Sequence, residues 1–343
     1  MTRRALNERA RAIITRRCSI SGRLPTGASD ATSSEIEALC DSVTVLRDGR
    51  LIAELERGGA NHAALVGLLA PEQADRTAAQ RPAASGVGGP LLETRGLGGE
   101  RLRGVTLSVR SGEIVGLAGL AGSGARELLL TVCGAVRYTK GSLAIAGRAL
   151  RPGDTLQAVA CGVGFLPGDR SLGTFPSQTV RHNVGLPSVR RHARLGLVGR
   201  RAERRSVAAV LERVALRADM EAPIASLSGG NQQKALVARW IASEARVLLL
   251  DDPTAGVDVA TRPEIHAQIR ALAAAGAAVL LVSTDVDELA ELPDRLVVFD
   301  RGSVVGELGG DSLTPARTLA AMTRRAPTDD AEPERDHEQG GSE

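Results

Sequence analysis

Aromatic side chains are almost missing from this chain. Of 343 residues, three are Phe, one is Tyr and one is Trp. The core must therefore be built from Leu, Val, Ile and Ala, and no row of rings is available to stack nucleic-acid bases. Cysteine is equally sparse: Cys18, Cys40, Cys133 and Cys161 stand apart with no CxxC pair. That excludes a zinc or disulfide framework and fits a reduced compartment. Long apolar runs are lacking too. The longest, Ala271–Val282, has 12 residues and contains Gly276, whereas a membrane-spanning helix needs about 20. The basic start, MTRRALNERARAIITRR, is followed by no apolar segment or cleavage site, so it does not read as a secretory signal. A net charge of +3 is too small to argue for a nucleic-acid partner. What remains is a chain long enough for one large or two modest domains, with 43% apolar residues to bury.

The pattern changes along the chain. Residues 1–34 show no period and no motif, and are expected to be without fixed structure. Glu35–Leu55 reads as a short helix, a strand at Val43–Leu46, an Asp48-Gly49 turn and a second strand. His62–Leu69 suits one more helix. Residues 71–90, rich in Ala, Pro, Gly and Gln, read as a linker.

From Leu91 onward, strands alternate with helices. Strands are expected at Val105–Val109, Ile114–Ala118, Val163–Leu166, Val247–Asp251, Ala277–Ser283, Arg295–Phe299 and Ser303–Gly306. Helices are expected at Arg126–Cys133, Gly229–Ser243 and Thr261–Ala275, and in the second half of Arg181–Arg217. Such alternation predicts an α/β fold, a largely parallel sheet covered by helices. Residues 324–343 are acidic and lack large apolar side chains, so they are expected to form a disordered tail. There is also an internal echo. Asp41–Leu51 (DSVTVLRDGRL) resembles Asp294–Val304 (DRLVVFDRGSV), and each follows an acidic helical stretch.

Two phrases carry the chemistry: LSGGNQQK at Leu227–Lys234 and VLLLDDPT at Val247–Thr254. The first resembles the signature loop of ABC-type ATPases and the second their Walker B strand. With GEIVGLAGLAGSGARELL, LLLDDPTAGVDV and the two hairpins, residues from Leu91 to about Thr323 resemble the second ATPase half of the ATP-binding subunits of bacterial sugar importers, the ribose/galactose/xylose type. Glu35–Leu69 is similar to the end of the first half. The resemblance implies a P-loop NTPase fold, an ABC-type nucleotide-binding domain at 91–323, and a remnant of a like domain at 35–70.

The family's Walker A loop runs G-x-x-x-x-G-K-[ST]; its N–H groups cradle phosphates, its Lys neutralises them and its hydroxyl holds Mg²⁺. Gly119, Gly122, Ser123 and Gly124 keep that frame here, but Ala125 stands at the Lys position and Arg126 at the Ser/Thr position. Such departures are frequent in second halves of this family. The loop then offers N–H groups at a helix N-terminus, able to hold an anion weakly, or is a tight turn that binds nothing. Asp251 corresponds to the Walker B carboxylate that holds Mg²⁺ through water. Asp252 replaces the Glu that polarises the attacking water, so impaired chemistry is expected. Thr284 replaces the switch histidine, and Gly168 stands where a polar Q-loop side chain is usual.

The signature loop is intact. By resemblance, Ser228, Gly229 and Gly230, with Gln232 next to them, face the γ-phosphate held by the other half's Walker A. The implied role is the ATP-binding subunit of a carbohydrate ABC importer, using ATP and Mg²⁺. It would be peripheral at the inner face of the membrane, in contact with permease subunits and a partner ATPase domain, and indirectly with a periplasmic sugar-binding protein.

Three alternatives stay open: a non-catalytic interaction module, an inactive fragment of a two-domain ATPase, or a soluble ABC protein acting on ribosomes or DNA. The absence of the first half's own motifs upstream of Glu35 suggests a piece of a longer protein. The ten arginines of Arg181–Arg217 have no aromatic among them, so a solvated helical face or a docking surface is expected rather than nucleic-acid binding.

Overall fold

The protein is described from a computed structural model. The structure describes residues 11–13, 42–47, 50–56, 88–194, 197–258 and 261–323. Near the start, β1 (Arg11–Ile13), β2 (Ser42–Arg47) and β3 (Arg50–Glu56) form an antiparallel sheet in that order. β1 lies in the stretch expected to be without structure. The β2–β3 hairpin falls where it was expected, whereas the Asp48-Gly49 turn, the helices expected around residues 35–40 and 62–69, most of the linker and the acidic tail lie outside the described residues.

The rest is built on two sheets. One is antiparallel and was not anticipated: β4 (Pro90–Gly98) pairs with β5 (Val105–Arg110) and with β7 (Lys140–Ile145), which pairs with β8 (Arg148–Ala149). The other has six strands in the order β15-β14-β6-β13-β12-β9. Its members are β6 (Ile114–Ala118), β9 (Val163–Leu166), β12 (Val247–Asp251), β13 (Ala278–Val282), β14 (Arg295–Asp300) and β15 (Ser303–Gly309). All pairings in it are parallel except β14–β15. Helices α1 (Ala125–Val132), α2 (Thr155–Ala160), α3 (Arg170–Gly173), α4 (Val180–Gly185), α5 (Arg200–Arg213), α6 (Gly229–Ala242), α7 (Arg262–Ala274), α8 (Val286–Glu291) and α9 (Pro315–Thr323) complete it. A small hairpin, β10 (Ala193–Arg194) with β11 (Leu197–Val198), precedes α5.

The central strands are apolar throughout because both faces of the sheet are covered. Alternate residues go to opposite sides. Val247, Leu249, Leu280 and Leu117 join α1 and the antiparallel sheet in one core, while Leu248, Leu250, Leu281 and Ala118 join α6, α7 and α8 in another. A third core belongs to the helical part, where Val184, Val207, Leu211 and Ala238 meet.

The internal echo extends to a structural detail. Each hairpin has one register irregularity, between Val45 and Leu46 in the first and between Val298 and Phe299 in the second. These are matching positions in the two sequences. On β2, β1 pairs antiparallel; on β14 the corresponding neighbour, β6, is parallel.

The arginine-rich stretch divides in two. Arg200, Arg201, Arg204, Arg205, Arg213 and Arg217 are exposed, as a solvated face requires. Arg181 is not: it is buried, 2.7 Å from Glu203 and 3.0 Å from Glu221. Arg181 ties α4 to Glu203 of α5 and to Glu221, and the two carboxylates offset the burial of its charge.

Candidate functional site

The glycine loop leaves β6 at Ala118 and enters α1 at Ala125. A side chain at Gly119 would run into Ser123 and the carbonyl of Phe299. Gly124 has φ +103°, and a Cβ there would lie 2.8 Å from Gly302 Cα. The loop therefore keeps the tight form that glycine allows. The N–H of Ser123 donates to the Leu120 carbonyl. Those of Gly122, Gly124, Ala125 and Arg126 have no acceptor among the described residues. They form a nest at the positive end of a helix, suited to an anion. Ala125, at the lysine position, is buried in the core and brings no charge.

Arg126 turns toward β12. Its Nε donates to Asp251 Oδ1 at 2.7 Å and its Nη2 to Asp252 Oδ2 at 2.6 Å. Both aspartates are buried, while the Arg126 side chain is 50% exposed. Burial holds the Asp251 carboxyl above its ordinary value even though Arg126 and the Gly168 N–H donate to it. For Arg126 burial works downward, but the bonds to Asp251 and Asp252 outweigh it and raise the pKa. The guanidinium thus remains charged beside both carboxylates.

Asp252 is held from the other side as well. Thr284 donates to Asp252 Oδ1 from its N–H, at 2.6 Å, and from its hydroxyl, at 2.9 Å. Gly168 packs so closely that a Cβ would lie 3.2 Å from the Asp251 carbonyl oxygen. The expectation that Asp251 holds Mg²⁺ and that Asp252 acts weakly on water meets a physical obstacle. The Arg126 guanidinium bonds both carboxylates, and both oxygens of Asp252 already accept hydrogen bonds. Thr284, the drifted switch position, is used to fix Asp252.

The signature segment is separate. Ser228 caps α6, its hydroxyl oxygen accepting from the Asn231 N–H at 3.4 Å. The N–H groups of Gly229 and Gly230 have no acceptor among the described residues. Gln232 is partly buried, and its amide donates back to the Leu227 carbonyl at 3.0 Å, so it braces the loop. Its neighbour Gln233 is buried and donates to Pro253 O, tying α6 to the segment after β12. No hydrogen bond or ion pair among the described residues joins 119–126 to 227–232.

Arg170 was not singled out by sequence reasoning. Its guanidinium donates to the Gly256 carbonyl at 3.2 Å and lies against Gly229, where a Cβ would clash with it. It places a positive charge between the signature loop and the turn after Walker B. Its position at the end of the Q-loop segment, GVGFLPGDR, held the only sequence signal.

Residues 102–255 match the ABC transporter family. The domain belongs to that family. The chain is 39% identical over 290 residues to the ribose import ATP-binding protein RbsA of Corynebacterium glutamicum, covering 83% of this chain and 55% of that protein. It is 38% identical over 292 residues to the ribose import ATP-binding protein RbsA 1 of Rhizobium johnstonii, covering 84% and 57%. The chain thus spans a little over half the length of the curated relatives it matches. Among solved structures, cbiO1 from Clostridium perfringens, part of the ABC transporter complex cbiONQ, superposes with TM-score 0.56 at 20% identity, over 67% of this chain and 91% of that one. An ATP-binding cassette in its ADP conformation gives 0.57 at 18%, over 68% and 95%. These likenesses show the cassette fold. No helix among the described residues is long and apolar enough to cross a membrane.

Proposed function

We propose that this chain is an energy-coupling ATPase subunit of a carbohydrate importer, one whose signature loop completes the site of a partner ATPase domain while its own P-loop is silent. The observation that carries this reading is the contrast between the two loops. Ser228, Gly229 and Gly230 start α6 with N–H groups free for a phosphate, whereas Asp251 and Asp252 are occupied by Arg126.

ATP and Mg²⁺ would be held by the Walker A of the partner, against Ser228–Gly230 of this chain. Bound there, the metal would neutralise charge developing on the transferred phosphoryl group. Ser228 and the two glycine N–H groups would supply fixed donors to the same phosphate, and Arg170 would add charge to that face. Closing and opening of the pair would drive permease subunits between inward and outward states at the inner face of the membrane. Leu172, Phe175 and Leu186, exposed within one short stretch, offer an apolar surface on which a permease could dock.

The test is ATP turnover in a reconstituted pair. The chain alone should be inactive. The pair should hydrolyse ATP, and Ser228→Arg in this chain should abolish that activity although the partner's P-loop is untouched. Turnover unchanged by Ser228→Arg would refute the reading.

A further inference from the structure

We propose that the site formed by this chain's own glycine loop excludes divalent cations, because the Arg126 guanidinium is a built-in substitute for the metal. The inference deepens the reading above and rests on it where nucleotide is concerned, but the exclusion itself follows from groups within the chain.

A metal site at the end of β12 would need carboxylate oxygens free to coordinate, a nearby hydroxyl and no competing cation. A competing cation is already bonded to both carboxylates, and the hydroxyl that is near, that of Thr284, is itself bonded to Asp252. Asp251 Oδ1 and Asp252 Oδ2 each receive a short, charge-assisted bond from the same guanidinium. Asp252 Oδ1 receives two more from Thr284. Residue 126, where the family places its hydroxyl, is the arginine itself. A divalent ion could enter only by expelling Arg126, and would then leave a positive side chain beside a positive ion.

The arrangement also retains donors for an anion. Arg126 Nη1 has no partner among the described residues, and its side chain is half exposed. With the N–H groups of Gly122, Gly124 and Ala125, it could meet phosphate oxygens directly. A nucleotide held here would therefore bind as the metal-free anion.

Mn²⁺ titration of the purified full chain, followed by electron paramagnetic resonance without nucleotide, tests the exclusion. The unaltered chain and Asp251→Asn should be alike, neither taking up Mn²⁺. Arg126→Thr, which frees both carboxylates and supplies a hydroxyl, should gain an Mn²⁺ site that the unaltered chain lacks, lost again in Arg126→Thr/Asp251→Asn. Arg126→Lys, which keeps the charge, should stay closed to Mn²⁺. Uptake by the unaltered chain that Asp251→Asn removes would overturn the proposal, and so would a folded Arg126→Thr that gains nothing.

A separate arm uses ATP with EDTA or with excess Mg²⁺. Binding at least as tight in EDTA supports the metal-free site, and binding that requires Mg²⁺ overturns it. No binding in either condition would refute the nucleotide reading of the loop, with metal exclusion still decided by the Mn²⁺ arm.

Discussion

The backbone N–H and the hydroxyl of Thr284 end on the same oxygen of Asp252, at 2.6 and 2.9 Å. Asp252, at the position the resemblance assigns to a water-polarising carboxylate, is thereby locked to Thr284, at the position it assigns to the switch histidine. If the short side chain of Asp252 alone limited hydrolysis, Asp252→Glu would raise turnover by about 10²-fold. The geometry predicts no gain, because Arg126 and Thr284 would still hold the carboxylate. Phosphate release by the purified variant, compared with the unaltered chain, checks this. Recovery would need Ala125→Lys, Arg126→Thr and Thr284→His together.

Arg126 also contributes to stability. Arg126→Ala leaves two buried carboxylates side by side with no cation. A fully buried pair broken on one side costs about 3–5 kcal/mol, and the half-exposed Arg126 reduces this to about 1–2 kcal/mol. Arg126→Lys should recover only part, since an ammonium cannot match the two-pronged geometry. Urea unfolding of the three proteins would show that order; equal midpoints would refute it.

The division between what could be read and what could not follows from distance along the chain. Ile114–Ala118, Val163–Leu166 and Val247–Asp251 were legible to the residue, because a doubly covered strand is a short apolar run with sharp ends. The signature helix was legible from its cap and glycines. The antiparallel sheet was not, apart from Val105–Val109: β4 and β7 mix Gly, Arg, Lys and Ser with apolar residues and read as loop. Arg126 reads in the sequence only as a departure from the Ser/Thr position. Its reach to carboxylates 125 residues away was beyond local pattern. Arg181 was misjudged for the same reason: its partners, Glu203 and Glu221, lie 22 and 40 residues on.

That cluster yields a third expectation. Arg181→Met strands the buried Glu203 and should cost about 3 kcal/mol, whereas the double variant Arg181→Met/Glu203→Leu should recover most of the loss. Denaturant midpoints of the single and double variants decide it.

The same cluster sets a pH dependence. Glu221 accepts from Arg181, which holds its carboxyl below its ordinary value of 4.5. A depressed folded value stabilises the fold fully above the unfolded value and is lost as pH falls through the folded one. The melting temperature of Glu221→Gln should therefore lie below that of the unaltered chain at pH 6 to 7. The two should converge on acidification below about pH 4. A gap that stays constant down to pH 3 would mean that the Arg181 bond is not its source.

The apolar side chains after the Q-loop segment give the last test. Leu172 is 79% exposed, Phe175 50% and Leu186 48%, all within fifteen residues of chain, and the reading above assigns them to the permease contact. Their neighbours are tied down: Asn183 bonds the Phe175 backbone through both its oxygen and its nitrogen, and the Arg239 guanidinium reaches the Gly173 carbonyl at 2.6 Å. Leu172→Asp with Phe175→Asp replaces exposed atoms and should leave the melting temperature within about 0.5 kcal/mol equivalent of the unaltered chain. Co-purification with permease subunits should fall at least about tenfold, because desolvated carboxylates oppose an apolar contact. Retained co-purification would move the permease surface elsewhere on the cassette, with the exposed arginines of α5 as the next face to alter.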